Sequence, residues 1–360
     1  MKGSRDANAA TGGRSVIHGV PAAAWSRLCD SAGLLGRLAP WAWMESARSF
    51  GIGIPGSDQI AFISIMGKAG NENHAVFAYL GWEAFMHIRG LMETQSLAVR
   101  DLIETPALQV TFVRATQLGP EDLAILSCAG IEPPLPDTVP VFRSHRTGYL
   151  PWMLSAEEVH QLDVILRQVA GVAMRCESAP DLLVPPEPGR VWVLGPDAAG
   201  AWQEEWHPIP PASAFARPDP LDGGKLAQAA ALPCRHERIQ FDLALSRATV
   251  GQAGQRLRTT YLLAAFDSRD GKCIGADVIM PVDGLAAMWR SVPDRLLNLC
   301  LHAGSRPREI EVASEQMMAT LRPLLGHLPI KLTLRLRLPH FQSFLEEMNN
   351  LKRPQESEAR

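Results

Sequence analysis

The densest run of chemistry-bearing side chains is Phe142-Arg143-Ser144-His145-Arg146, followed by Tyr149 and Trp152. Arg143 and Arg146 offer planar, permanently charged donors that match phosphate or carboxylate, and Tyr149 and Trp152 offer stacking faces. With His145 they form a candidate loop for binding an anion or a partner. The same long side chains would equally serve to clamp an irregular segment onto a core. Cys234-Arg-His236 sets two metal-ligand types close together, yet zinc wants four ligands and no second pair stands at matching spacing. Gly51-Ile52-Gly53-Ile54-Pro55-Gly56 has the glycine spacing of a dinucleotide loop. That loop needs a strand before it and a helix opening at it, whereas Pro55 and Gly56 lead into another strand. No G-x-x-x-x-G-K-[ST], H-E-x-x-H or G-x-S-x-G occurs, so ATPase, zinc-protease and α/β-hydrolase chemistry lack their entry signals.

These residues must be held by a chain of 360 residues, long enough for two domains. With 46% hydrophobic and 20% charged residues it has globular composition, which excludes wholesale disorder, collagen and a coiled-coil rod. A net charge of -3 excludes a strongly basic nucleic-acid binder, although a local patch remains open. The six cysteines are scattered without a C-x-x-C, which points to buried thiols in a reducing cytoplasm. No signal-peptide core and no run of about 18 apolar residues is present, so secretion and membrane insertion are not expected.

Residues 1–20 read as a disordered tail. A helix follows from Pro21 to Leu38, and Trp25, Trp41 and Trp43 read as a local core anchor. Strands are expected at 48–54, Gln59–Met66, His74–Leu80 and Ala107–Arg114, with helices at 82–92 and Pro120–Cys128. Gly67 to Asn71 has the turn residues of a hairpin. Residues 131–154, rich in proline, read as irregular. Ser155 and Glu158 spell a capping box that opens a helix to about Cys176. The prediction for residues 21–177 is therefore an α+β domain with a largely antiparallel sheet. Residues 178–235 read as a Pro-rich hairpin and linker.

The remainder, 236–351, is expected to run βββαβαβα over a mixed sheet, an α/β domain, with 352–360 as a tail. Its strands are Ile239–Leu245, Thr259–Phe266, Cys273–Met280, Glu309–Val312 and Ile330–Leu338. In the last strand leucines alternate with Lys331, Thr333, Arg335 and Arg337, the mark of a sheet edge protected by charge. The helices are Leu285–His302, Ser314–Leu325 and His340–Leu351.

This order, with Arg238 to Asp242, Tyr261 to Arg269, Ile274-Gly275 and Gly304 to Ile310, resembles the RNase H-like fold of transposase and integrase cores. The resemblance implies a two-metal nuclease site built from two aspartates and a later acid, holding magnesium or manganese. Asp242 matches the first position and Glu347 lies near the third. Where the family has its central aspartate this chain has Ala313, with Glu311 two residues earlier on the same side of a strand. The expectation is therefore a degenerate version of the fold without catalysis or cofactor, acting as a binding or regulatory module with a protein or nucleic-acid partner. The alternatives are a metal-dependent nuclease using Asp242, Glu311 and Glu347, or a nucleic-acid binder that does not cut. The whole chain also resembles an uncharacterised bacterial family that joins two domains of unknown function. The matching stretches are Pro40 to Met44, Met66-Gly67, Tyr79 to Gly81, Phe142 to Arg146 and Gly148 to Trp152. No activity carries over from it.

Overall fold

The structure is a computed structural model and describes residues 16–44, 49–67, 74–93, 99–211, 219–252 and 254–350. Residues 1–15 of the expected 1–20 tail, the 352–360 tail and residues 68–71 of the expected turn lie outside these, whereas residues 16–20 are not a tail: they form a short hairpin that buries Ile17 and Val20. The chain divides into two compact units, Met1–Arg146 with Pro151–Ala212, and Thr147–Leu150 with Ser213–Arg360.

Unit 1 opens with a short hairpin, β1 (Val16–Ile17) and β2 (Val20–Pro21), and helix α1 (Ala22–Leu38). Next come β3 (Phe50–Gly53), β4 (Ile60–Met66), β5 (His74–Leu80), α2 (Gly81–Glu93) and α3 (Val99–Glu104). The rest is β6 (Ala107–Arg114), α4 (Pro120–Cys128), β7 (Thr138–His145), α5 (Ala156–Ser178), β8 (Arg190–Pro196) and β9 (Trp202–Pro208). Among the described residues, seven strands form one sheet in the order β7-β6-β5-β4-β3-β8-β9. Its pairs are antiparallel except β3 with β8.

Strands as continuously apolar as β4 and β5 must be covered on both faces, and they are. Ile63, Ile65, Val76 and Val110 pack against Trp25, Leu28, Leu162 and Leu166 of α1 and α5. Phe62, Phe77 and Tyr79 meet Phe85 and Ile88 of α2 on the other face. The capping box that opens α5 forms as its residues predict: Ser155 Oγ accepts from the Glu158 amide, and Glu158 accepts from the Ser155 amide.

Three further features differ from expectation. Residues 131–154 contain β7 despite Pro140, because β7 lies at the sheet edge, where a residue without an N–H is tolerated. The hairpin β8–β9 is not part of a linker: β8 pairs with β3, so it completes the sheet. The glycines of Gly51-Ile52-Gly53 lie in β3 with no helix after them. A methyl group on Gly51 would stand 2.8 Å from Val193 of β8, so close approach of strands accounts for that glycine.

Unit 2 has α6 (Gly223–Ala231), β10 (Cys234–Val250), β11 (Arg258–Asp267), β12 (Cys273–Ile279), α7 (Leu285–Ala303), β13 (Arg306–Val312), α8 (Glu315–Leu321), β14 (Lys331–Leu334) and α9 (Pro339–Asn350). Helix α6, capped by Asp222, lies within the stretch expected to be linker, and its Leu226 and Ala229 enter the core of the unit. The sheet order is β12-β11-β10-β13-β14. β10, β11 and β12 are antiparallel neighbours, while β13 and β14 run parallel to β10. One face buries Ile239, Phe241, Leu243 and Ile310 under α7 and α8. The opposite face carries a smaller cluster, Ala264, Phe266, Leu338 and Phe341, under α9. β14 is an edge strand but ends at Leu334, and Leu336 is fully exposed. The Ser314–Leu325 helix becomes α8 followed by a 3-10 turn at Arg322–Gly326, because Pro323 cannot continue an α-helix.

Candidate functional site

Strand periodicity decides which side chains of unit 2 meet. In β10, Ile239, Phe241 and Leu243 enter the main core, which leaves Arg238, Gln240 and Asp242 on the α9 face. The parallel register sets Gln240 opposite Glu311 of β13, and Glu311 opposite Thr333 of β14. A polar row thus crosses the middle of the sheet. Gln240 Oε1 accepts from the backbone N–H groups of His340 and Phe341, at 2.9 and 3.3 Å. Those are orphan donors of the first turn of α9, so a strand side chain anchors the helix from outside.

Glu311 is 6% exposed. Its Oε1 accepts from Arg335 Nε at 3.0 Å and a terminal nitrogen at 2.8 Å, with Arg238 at 3.8 Å. Its Oε2 accepts from Ser268 Oγ at 2.8 Å. Glu309, on the same side of β13, accepts from Thr333 Oγ1 at 2.5 Å and lies 3.6 Å from Lys331 Nζ. The Thr333 hydroxyl, with Lys331 and Arg335 beside it, holds the Glu309 carboxyl below its ordinary pKa. Asp242 accepts from the Leu243 amide at 2.8 Å, and Glu347 sits on the exposed side of α9. Ala313 is exposed and offers no donor.

A magnesium- or manganese-type cation takes about six oxygen donors at short range. Here the buried acid already accepts from a hydroxyl and a guanidinium, and a second guanidinium stands beside it. That donor set does not fit a hard cation. Among the described residues no group of three or more His, Cys, Asp or Glu could hold a metal ion. Asp242, Glu311 and Glu347 are therefore not brought together as a cation site. Cys234 and His236 are not either: Cys234 Sγ contacts the His236 carbonyl at 3.7 Å, and His236 Nδ1 lies 2.7 Å from Asp267. Burial pushes the Asp267 carboxyl up, but His236 and the Arg269 amide hold it below its ordinary pKa.

The residues of the 143–152 run are dispersed among internal contacts. Arg143 makes a two-pronged pair with the buried Asp122 of α4, at 2.7 and 2.9 Å. His145 Nε2 lies 2.7 Å from Gln109 Oε1. Arg146 donates to Glu158 at 2.8 and 3.1 Å, and Ser144 Oγ donates to the same oxygen at 2.8 Å. Trp152 pairs through its backbone with Ser144. Tyr149 belongs to the other unit, where the Arg258 guanidinium lies 5.3 Å from its ring centroid. Burial raises the pKa of Glu158, but the Ser155 amide, Arg146 and Ser144 outweigh it and keep the carboxyl below 4.5.

Arg335, Arg238, Ser268 and Gln240 were not legible as members of one row. The available signal was charge complementarity between two strands that prove parallel, Glu309-Ile310-Glu311 and Lys331 to Arg335.

Residues 25–193 match the model of a domain of unknown function, DUF7309. Residues 225–349 match that of a second domain of unknown function, DUF6930. The two matched stretches fall on the two sheets. No curated protein matches the chain.

Proposed function

We propose that this is a cytoplasmic, non-catalytic binding or regulatory protein of bacterial type, whose second unit is an RNase H-like sheet with its cation position retired. The observation that carries the reading is the closure of Glu311 by Arg335 and Ser268 beside Ala313. An arginine occupies the carboxylate that a cation would need, and a guanidinium cannot polarise phosphate and activate water as a metal pair does. The order β12-β11-β10-β13-β14, with α7 and α8 on one face and α9 on the other, supports the fold reading. Six free cysteines support a reducing compartment. No helix among the described residues is long and apolar enough to cross a membrane.

The test is incubation of the full chain with labelled single-stranded DNA, duplex DNA and RNA in magnesium and in manganese. The expected outcome is no cleavage above the chelated control. Cation-dependent cleavage that vanishes in Asp242→Asn would overturn the proposal in favour of the nuclease. Binding to the same probes across a salt series addresses the third possibility: a steep loss of affinity with salt means phosphate contact, and a flat response excludes it.

A further inference from the structure

On the α2 face of the unit 1 sheet lies a cavity of about 450 Å³. Its volume falls within the range of roughly 300–1,000 Å³ found for small-molecule sites. Tyr79 of β5, Val191 of β8 and Phe85, Ile88 and Met92 of α2 form apolar walls. Tyr79 is 2% exposed, and its hydroxyl finds no hydrogen-bond partner among the described residues. Burial pushes its pKa up, so the phenol stays protonated and is a donor at any physiological pH. A phenylalanine would stack on Phe77 as well, with rings 5.7 Å apart and nearly parallel. The hydroxyl therefore contributes a desolvation cost to the fold with no internal return.

Charge in the lining is limited to Arg89, Arg190 and Glu93, a surplus of one positive charge. Arg89 is paired with Glu93 at 2.8 Å and Arg190 with Glu187 at 3.4 Å, both in half-exposed settings, and Arg190 also donates to the Trp206 carbonyl at 2.9 Å. Such surface pairs hold weakly and exchange readily for another anion.

We propose that this cavity binds a small apolar carboxylic acid. Its aromatic or medium-chain skeleton packs among Phe85, Ile88 and Val191. The Tyr79 hydroxyl is itself closed off from solvent, so a carboxylate oxygen accepts from it once the neighbouring wall side chains give way, and the arginines supply the counter-charge. The site belongs to unit 1 alone and stands whether or not unit 2 proves catalytic.

Titration calorimetry and thermal melting of the full chain test it, with 2-naphthoate and octanoate as probes and 2-naphthylmethanol as the uncharged control. At least one acid is expected to bind saturably at one per chain and to raise the melting temperature. The alcohol should bind about tenfold more weakly. Tyr79→Phe should melt at or above the wild type and lose about five- to tenfold in affinity, the worth of one hydrogen bond. Met92→Trp, at a half-buried wall position, should fill the space and abolish binding. Absence of saturable binding by both acids at millimolar concentration overturns the proposal. So does binding that Tyr79→Phe and Met92→Trp leave unchanged, and an alcohol that binds as tightly as the acid overturns the carboxylate assignment.

Discussion

The two sheets solve the same covering problem differently. In unit 1 both faces are thickly packed, by α1, α4 and α5 on one side and α2 on the other. In unit 2 one face has a broad core, while the α9 face has four buried apolar residues beside a row of charged and amide side chains. Polar groups on a strand interior are costly unless each finds a partner. Unit 1 carries buried acids on helices, and three of them, Asp122, Glu158 and Asp163, are each closed by an arginine. Unit 2 keeps Gln240 and Glu311 in the centre of the sheet itself. The thin face of unit 2 is held by hydrogen bonds together with a small apolar cluster, where unit 1 relies on apolar packing on both faces.

The two units should differ most in what their cores lose on truncation. Trp25→Ala removes a fully buried indole from unit 1 and should cost about 3–5 kcal/mol. Phe341→Ala in the thin layer should cost less, about 2 kcal/mol, because the surface helix α9 can settle over the gap. Denaturant unfolding followed by circular dichroism reads both. Equal losses would mean that α9 seals a core as tight as that of unit 1.

Removing an enclosed acid comes next. Glu158→Ala strips the cap from α5 and leaves Ser144, Arg146 and the Ser155 amide without their acceptor. The loss should be about 2–4 kcal/mol. Because the folded pKa lies below the ordinary 4.5, this stability is present above pH 4.5. It is lost as pH falls from there through the folded value. The mutant should therefore lose this part of the acid dependence, while Asp267 and Glu309 keep theirs, and an unchanged acid limb in its melting curves would refute the assignment. Glu311→Gln keeps the shape of the row and should cost about 1–2 kcal/mol, since Arg335 is half-exposed and can turn to water. A loss as large as that from Glu158→Ala would show the row to be as rigid as the enclosed acids of unit 1.

The smallest effect is on thiol chemistry. Cys234 and Cys273 are exposed and should react with a thiol reagent in the native protein. Burial pushes the Cys29 thiol up to about 12 and Cys300 to about 11, and with the buried Cys176 they should react only on unfolding. Mass spectrometry of labelled peptides counts them.

Much of the fold was legible because its signals are local. The α5 capping box, the apolar runs of β4, β5 and β11, and the glycine after α7 each need only a few neighbouring residues. What failed depended on tertiary placement. Pro140 argues against a strand unless the strand is an edge, and only the folded sheet makes it one. The hairpin β8–β9 was visible, but not its partner β3, more than a hundred residues away. The 143–152 run held the right donors for an anion, and the anions proved to be Asp122 and Glu158 of the same chain. Arg335 read as an edge-protecting charge, and only the parallel register showed that it faces Glu311.

Manganese titration of the full chain, followed by the paramagnetic resonance signal of free Mn²⁺, addresses the closure of Glu311 most directly. With Glu311 closed by Arg335 and Ser268, the free-ion signal should rise in step with added metal, with no stoichiometric uptake. Uptake of one or two ions per chain that disappears in both Asp242→Asn and Glu311→Gln would contradict it.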